Sequence, residues 1–395
     1  MSKKTKDDLS STFSRRAFNK AIIGVGAAVS FPAVFAANRS KKILKFACIV
    51  PLTGPSAAYG IRTRDGAIMA AEHYNKASDF LIANEPYAIE IDYADMANDA
   101  RQAITLARQY AGNSSYLGVL GLTNSVGYVA TVPVAGQLRF PIIGGGSAAP
   151  VKKWNTYAYR VNPVSEATVP VMLKTLVEKN KIKRLAVIFD QTQDGQLGEA
   201  ELCRSQADKL GYEVVAYQSF RSGDQDLSPQ IATIRNAKPD AIYVAAATGD
   251  GVRVVSQIKS ARIEAPLLTG FGSFLDSVYW DGTNGQTKDG YTYLAHDLSA
   301  PTGNFKAFIE QYNKQFKQEA TSFSAYGYDT VAAAVEALKI GGKVERESLT
   351  NTLTKLNVVS PIGTKIRFEN PPSGNNLDPT VVVIKITGRG TYEVV

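Results

Sequence analysis

Short apolar runs alternate with longer amphipathic segments from residue 43 onward, and this alternation constrains the fold more than any other feature. The apolar runs predict buried parallel strands at residues 44–50, 89–93, 116–120, 141–144, 185–189, 214–217, 241–246 and 266–269. The intervening segments predict helices at residues 64–76, 100–111, 125–137, 169–179, 196–210, 229–236 and 250–261. The alternation occurs once over residues 43–160 and again over 163–297, which predicts two doubly wound α/β lobes of parallel sheet.

The alternation ends after residue 297, and the tail must pack on lobes already formed. It predicts helices at 305–316, 328–340 and 349–356 and a hairpin of 381–387 with 391–395. Crossings near residues 162–163, 297 and 378–379 would then act as hinges. The expected domains are an N-terminal lobe of 43–162 plus 298–378 and a C-terminal lobe of 163–297 plus 379–395. A cleft between two such lobes is a natural ligand trap.

The first 36 residues have the pattern of a removable signal peptide. The segment SRRAFNK at residues 14–20 precedes a weakly apolar stretch at 21–35 and small residues around Ala36. Its Arg15-Arg16 pair resembles the twin-arginine export signal of bacteria, with a chance Arg pair in an ordinary secretory signal as the alternative. Either signal predicts cleavage near Ala36 and a periplasmic location.

The charge distribution argues against nucleic-acid binding. The formal net charge is +8, but half of it lies in residues 1–36, and later basic runs such as residues 41–42 and 181–184 are short. No later stretch reaches the roughly eighteen apolar residues of a membrane span. Cys48 and Cys203 lie inside apolar patterns of different lobes, so buried free thiols are expected rather than a disulfide.

The sequence offers little for catalysis. Its only histidines, His73 and His296, are far apart and lack metal-ligand spacing. Motifs of serine hydrolases, P-loops and dithiol oxidoreductases are absent. Asp92, Asp95 and Asp99 form an acidic cluster, but acidic residues commonly face water at strand ends. No enzyme activity, cofactor or metal site is predicted.

Loops after three strands of the first lobe are the candidate site, because ligands bind beyond the carboxyl ends of parallel strands. The first loop, residues 51–60, presents Tyr59 just before a helix. The second, residues 121–127, contains Thr123, Asn124 and Ser125, any of which can cap the next helix, whose free N–H groups suit a carboxylate. The third, residues 144–150, is rich in glycine. Such turns and caps also occur at helix starts that bind nothing.

The order and content of these loops resemble the type I periplasmic binding proteins of ABC transporters, in particular the leucine/isoleucine/valine-binding branch. The resemblance extends over almost the whole chain after the leader. It rests on the following segments: PLTGP at 51–55 with Tyr59-Gly60, Gly66-Ala67, EHYN at 72–75, the segment ending at Asp95, VLG at 119–121 with Asn124-Ser125, PII at 141–143, YRV at 159–161 and KPDA at 238–241.

The resemblance implies a carboxylate site in the first lobe. Family members hold the ligand carboxylate with a serine at the position of Ser125, which follows Asn124, and with the loop that corresponds to Gly145, Gly146 and Ser147. The glycine loop can be aligned in two registers one residue apart. A tyrosine at the place of Tyr59 borders the ligand side chain. These positions carry over to this sequence.

The second lobe departs from the family pattern. Asp194-Gly195 stands where amino-acid binders have Tyr-Gly. Residues 246–248, which end in Thr248, stand where those proteins have Gly-Tyr. Residues 270–272, which include Phe271, lack the acidic residue that binds the ligand's ammonium group in the family. An unpaired ammonium group in a closed cleft is costly. Asp194 or Asp250 would therefore have to replace that acid, or Phe271 and Tyr59 would face the ring of a ligand without an amino group.

The resulting expectation is the periplasmic substrate-binding component of an ABC importer, acting as a monomer. It would capture a small carboxylate, first an amino acid of branched-chain type, and present it to inner-membrane ABC permease subunits. The alternatives are an aromatic or aliphatic carboxylate without an amino group, and a sensor that delivers its ligand to a regulator.

Overall fold

The computed structural model describes residues 41–270, 273–294, 303–368, 373–377 and 381–395. The predicted signal peptide and the predicted crossings near residues 297 and 378–379 lie outside these residues. The strands are β1 Lys42–Val50, β2 Leu81–Ile82, β3 Glu85–Asp95, β4 Tyr116–Gly121, β5 Ile142–Gly144, β6 Ala158–Arg160, β7 Arg184–Asp190, β8 Glu213–Phe220, β9 Ala241–Ala245, β10 Leu267–Leu268, β11 Tyr291–Leu294, β12 Asn357–Val359, β13 Lys365–Arg367, β14 Val382–Gly388 and β15 Thr391–Val394.

Thirteen of these strands form two large sheets, which confirm the two predicted α/β lobes, and β12 and β13 pair in a separate two-stranded sheet. The first sheet has the order β2-β3-β1-β4-β5-β6, and the second has the order β15-β14-β11-β10-β9-β7-β8. Pairing is parallel except at β2, β14 and β15. The central strands β4, β7 and β9 are almost wholly buried, because helices cover both faces of each sheet. We call the layers around these sheets the first and second lobes.

Helices follow most of the strands. Their bounds are α1 Ala57–Lys76, α2 Ala100–Ala111, α3 Ser125–Leu138, α4 Ser165–Asn180, α5 Asp194–Ser205, α6 Ala207–Leu210, α7 Ser228–Ala237, α8 Thr248–Ser260, α9 Ser277–Gly282, α10 Gly303–Phe316, α11 Ser322–Gly341 and α12 Arg346–Leu353. Every predicted strand is present in the described residues, and so is every predicted helix except that of residues 196–210, which is divided into α5 and α6. The ends differ by a few residues at most positions. The short strands β2, β6, β11, β12 and β13 were not predicted, since so few residues carry no clear pattern.

The largest difference is the start of α1, which the sequence placed at residue 64. The helix begins at Ala57, so Tyr59 lies in its first turn and not before it. Gly60 weakened the helical pattern, because glycine disfavours helices. A glycine is required at position 60 because a Cβ there would lie 1.8 Å from the Pro51 carbonyl oxygen. The loop after β1 therefore folds tightly against the helix that it precedes.

The C-terminal tail returns to both lobes. Helices α10 and α11 belong to the apolar core of the first lobe, and β14 and β15 extend the second sheet, as the predicted hairpin required. Helix α11 lies very close to α1, where a Cβ at Gly66 would meet the Ser324 carbonyl oxygen at 1.9 Å and one at Gly327 would meet the Thr63 carbonyl oxygen at 1.9 Å. This contact brings the N-terminus of α11 next to Tyr59.

Both cysteines, Cys48 in β1 and Cys203 in α5, are buried and unpaired, which confirms the prediction of free thiols. Within the described residues, no helix combines the length and apolar character needed to cross a membrane.

Candidate functional site

The three predicted loops meet at one edge of the first sheet. Ile49, Gly121 and Gly144 are register partners at the carboxyl ends of β1, β4 and β5. The loops that follow face the second lobe across a cavity with about 500 Å³ of space not filled by atoms, part of it continuous with solvent. The cavity is lined by Ser56, Tyr59, Thr123, Asn124, Ser125, Gly146, Ala148, Gln193, Gly195, Gln196, Glu199, Ala246, Thr269, Gly270, Ser273 and Phe323.

Ser125 presents a hydroxyl donor to this cavity. It is the first residue of α3 and is 7% exposed. Its Oγ accepts hydrogen bonds from the Ala149 amide at 3.1 Å and from the Ser147 hydroxyl at 3.3 Å. A serine hydroxyl has two acceptor lone pairs and one hydrogen. Both lone pairs are therefore engaged, and the hydrogen remains to donate to a ligand at the positive end of the helix dipole.

Asn124 is the residue that caps α3, which settles the choice left open by the sequence. Its Oδ1 accepts from the Gly127 amide at 3.1 Å, and its side-chain amide donates to Asn98. The cap fixes the start of α3 and so the direction of the Ser125 side chain.

The glycine loop shapes the cavity more than it offers hydrogen-bond donors to a ligand. The Gly145 amide donates to the Gly121 carbonyl at 2.6 Å, and the Gly146 amide donates to Asn162 Oδ1 at 2.7 Å. Only Gly146 of the three predicted loop residues lines the cavity. A Cβ at Gly146 would lie 2.5 Å from the Thr123 carbonyl oxygen, and its φ is +135°, so glycine is needed there. Ser147 is fully buried behind Ser125.

Arg160 lies behind this loop and is 1% exposed. Its guanidinium donates to the Ser147 carbonyl at 3.0 Å and to the Ala149 carbonyl at 2.7 Å, while Nε donates to Asn375. Burial lowers the pKa of Arg160, and no carboxylate forms an ion pair with it among the described residues. Arg160 fixes the loop carbonyls away from the cavity and adds positive charge behind Ser125.

Tyr59 connects the two lobes. Its ring stacks on Phe323 at a centroid distance of 4.5 Å and an interplanar angle of 11°. Its hydroxyl oxygen lies 3.2 Å from Ser273 Oγ in the second lobe. Burial raises the pKa of Tyr59. Tyr59 is therefore uncharged at neutral pH, and it lines the cavity.

The residues predicted in the second lobe are not brought to the cavity in the same way. Asp194 is exposed to solvent at the start of α5. Asp250 binds Arg253 at 2.6 Å, the Ser222 hydroxyl at 2.7 Å and the Gly223 amide at 3.1 Å, so its oxygens are occupied away from the cavity. Thr248 is buried at the start of α8 next to Tyr59. Phe271 lies outside the described residues.

Sequence reasoning overlooked Glu199, which is 6% exposed and lines the cavity. Burial raises its pKa to about 7, and a hydrogen bond from the Tyr243 hydroxyl at 2.9 Å opposes the shift. Gly195 and Glu199 are one helical turn apart on the same face of α5. The sequence signal that could have pointed to Glu199 was this one-turn spacing from Gly195, a position already considered in the sequence analysis.

The cavity can bind a small molecule at both ends, since hydroxyl donors lie on the first lobe and a carboxyl group on the second. No group of three or more metal-ligating side chains is found among the described residues. Two parallel-sheet lobes with a polar cavity between them define a two-lobed solute-binding protein.

The chain belongs to the periplasmic binding protein family, whose model matches residues 44–388. A curated relative, Leu/Ile/Val-binding protein homolog 3 of Brucella melitensis biotype 1, is 28% identical over 308 residues, which are 77% of this chain and 79% of the relative. The leucine-, isoleucine-, valine-, threonine- and alanine-binding protein of Pseudomonas aeruginosa is 24% identical and is matched over 86% of this chain and 89% of its own.

The crystal structure of the branched-chain amino acid transporter substrate binding protein LivJ from Streptococcus pneumoniae, in complex with isoleucine, superposes with a TM-score of 0.79 at 21% identity. The match covers 90% of this chain and 99% of that one. These similarities confirm the predicted fold and the predicted resemblance to the leucine/isoleucine/valine-binding branch. The relatives are binding proteins by name, in agreement with the expectation that this chain is not an enzyme.

Proposed function

We propose that this chain is the periplasmic substrate-binding component of an ABC importer, and that it captures a small carboxylate, an amino acid of branched-chain type, by closure of its two lobes. The observation that carries the proposal is the Ser125 hydroxyl, whose hydrogen is left to donate into the cavity between the lobes. A carboxylate there also meets the N-terminus of α3. The names of the relatives favour an amino acid over other carboxylates.

Closure follows from contacts on both sides of the ligand. Ser125 belongs to the first lobe and Gly195 to the second, and a Cβ at Gly195 would lie only 3.0 Å from Ser125 Oγ. A molecule at this point contacts both lobes and binds the closed form more tightly than the open one, which shifts the population toward closure. We place the lobe boundaries at residues 43–162 plus 298–378 and 163–297 plus 379–395, with the chain crossings as hinges.

The proposal includes export, since a binding component must meet solute outside the cytoplasm. Residues 1–36 would direct the folded chain through the twin-arginine route and be cleaved near Ala36, after which the monomer would dock on its permease. Changing Arg15 and Arg16 to Lys is expected to abolish export. Unchanged export would instead indicate the general secretory route.

The ligand class is tested by thermal unfolding of the mature chain with L-leucine, L-isoleucine, L-valine and a panel of aromatic and aliphatic carboxylates. A ligand bound by the folded state alone raises the unfolding midpoint. We expect a rise with the branched-chain amino acids that is lost in Ser125→Ala. Ser228→Ala is the matched control, because Ser228 also begins a helix but is exposed on the second lobe.

The importer role is tested separately with reconstituted permease. The liganded chain is expected to stimulate ATP hydrolysis by the permease, and the unliganded chain to stimulate it less. Ligand binding without any effect on the permease would favour the sensor alternative.

A further inference from the structure

Glu199 provides the only carboxyl group among the described residues that line the cavity, and no lysine or arginine side chain lines it with Glu199. The residue lies on α5 and is 6% exposed. It stands one turn beyond Gly195, which faces Ser125. The carboxyl group is therefore on the opposite side of the cavity from the Ser125 hydroxyl.

The two oxygens of Glu199 have different surroundings. Oε2 accepts the hydrogen bond from Tyr243, which fixes the direction of the carboxyl group. Oε1 lies over Gly270, where an added Cβ would come within 2.2 Å of it. The absence of a side chain at Gly270 thus leaves room for the carboxyl group to reach the cavity.

A carboxylate at this depth has no cationic partner within the described residues. The titratable groups that interact with it are Tyr59 from α1, Cys203 from α5 and Tyr243 from β9, which in turn faces Tyr293 of β11. Burial raises the pKa of Tyr59, Cys203 and Tyr243, so these three are neutral at pH 7. Burying an unpaired charge is costly, and a cationic ligand group would offset that cost.

The cavity is therefore electrically asymmetric. On the first lobe, the free hydrogen of Ser125 and the buried Arg160 behind its loop favour negative charge. On the second lobe, Glu199 favours positive charge. A zwitterion with its carboxylate toward Ser125 satisfies both sides, whereas a simple carboxylic acid satisfies one.

We propose that Glu199 binds the ammonium group of the ligand and makes the protein selective for amino acids over the corresponding acids that lack the amino group. This inference rests on the proposed function of the same cavity. It assigns to Glu199 the part for which Asp194 and Asp250 were the sequence candidates. Burial raises the pKa of Glu199 to about 7. Below that pH the carboxyl group carries a proton, which an ammonium group must displace when it pairs with Glu199.

The test measures affinity by titration calorimetry for L-leucine and for 4-methylpentanoate, which is leucine without its amino group. We expect wild type to prefer leucine and Glu199→Gln to bind leucine at least about 30-fold more weakly, because one partner of a buried charge pair is removed. Affinity for 4-methylpentanoate should not fall. Glu201→Gln, two residues along α5 and exposed, is the matched control and should leave both affinities unchanged.

Proton release gives a second readout that a merely structural role would not affect. At pH 6, in two buffers of different ionisation enthalpy, wild type should release nearly one proton on binding leucine, and Glu199→Gln should release none. Equal leucine affinity in Glu199→Gln, or no proton release by wild type, would overturn the role of Glu199. Binding of 4-methylpentanoate in preference to leucine would also overturn it but leave carboxylate capture standing, and binding of neither would overturn both proposals.

Discussion

The Tyr59 hydroxyl of the first lobe donates a hydrogen bond to Ser273 of the second lobe, with 3.2 Å between the two oxygens. The direction follows from Ser273, whose own hydrogen goes to the Gly270 carbonyl at 2.9 Å. Tyr59 is held by its stack on Phe323, so the hydroxyl is positioned before the lobes meet. The bond can exist only while the lobes are close together.

We expect Tyr59→Phe to weaken leucine binding about fivefold, since a neutral hydrogen bond contributes about 1 kcal/mol to the closed form. The stack on Phe323 should persist because the ring is retained. Calorimetry measures the affinity, and small-angle X-ray scattering of the unliganded chain should show a larger radius of gyration than wild type.

Ser273→Ala serves as the partner variant in a double-mutant cycle. If the two hydroxyls act through one bond, the double variant should bind leucine about as well as either single variant. Additive losses would mean that the two hydroxyls act independently and would contradict a shared cross-lobe bond.

Gly195→Ala tests the closeness of the lobes at the site. The added methyl group would lie 3.0 Å from Ser125 Oγ and would occupy space needed for closure on a ligand. We expect leucine affinity to fall at least about tenfold, although alanine should raise helix stability by up to about 1 kcal/mol. Calorimetry and urea unfolding of the ligand-free chain measure the two effects.

Gly198→Ala is the control within the same helix. Its added methyl group would meet only Pro150 Cδ, at 3.6 Å, an ordinary contact. Leucine affinity should stay at the wild-type value. Equal losses of leucine affinity in both variants would show that the substitutions act by perturbing α5 itself. That result would contradict the close approach of the lobes at Gly195.

The fold was largely predictable because each lobe repeats one simple unit. Buried runs such as β4 and β9 contain no charged residue and are buried along their whole length, and the helices between the strands have an apolar face, so the local pattern and the tertiary environment agree. The predicted start of α1 was wrong because a tertiary contact determines where this helix begins. Gly60 looks like a helix breaker until the Pro51 carbonyl is found against its Cα.

The residues that line the cavity were predictable on the first lobe and less so on the second. Ser125 follows a strand end and begins a helix, which is a local arrangement visible in the sequence. Phe323 reaches the cavity only because the C-terminal tail returns across α1. Glu199 looks like an ordinary helix-surface acid, since its burial depends on β9 and on the loop that contains Gly270.

The two cysteines provide a test of core burial. Burial raises the pKa of Cys48 to about 12 and that of Cys203 well above its usual value. Because the thiolate is the reactive form, a thiol reagent such as dithionitrobenzoate should label neither in the native chain at pH 8 and both in guanidinium chloride. Rapid labelling of one thiol in the native chain would contradict its burial in that lobe.

The stability of the ligand-free chain should fall as the pH rises from about 5 to 8. Burial raises the pKa of Glu199 and of Asp329 in α11 to about 7, from ordinary values of 4.5 and 3.8. Each carboxyl group binds its proton more tightly in the folded chain. The stability from that proton is complete below the ordinary pKa and is lost as the pH rises through the folded-state value. Differential scanning calorimetry across this range should show a decreasing midpoint. Glu199→Gln and Asp329→Asn should each reduce the decrease, since the amides do not titrate, and a midpoint that increases with pH would contradict both assignments.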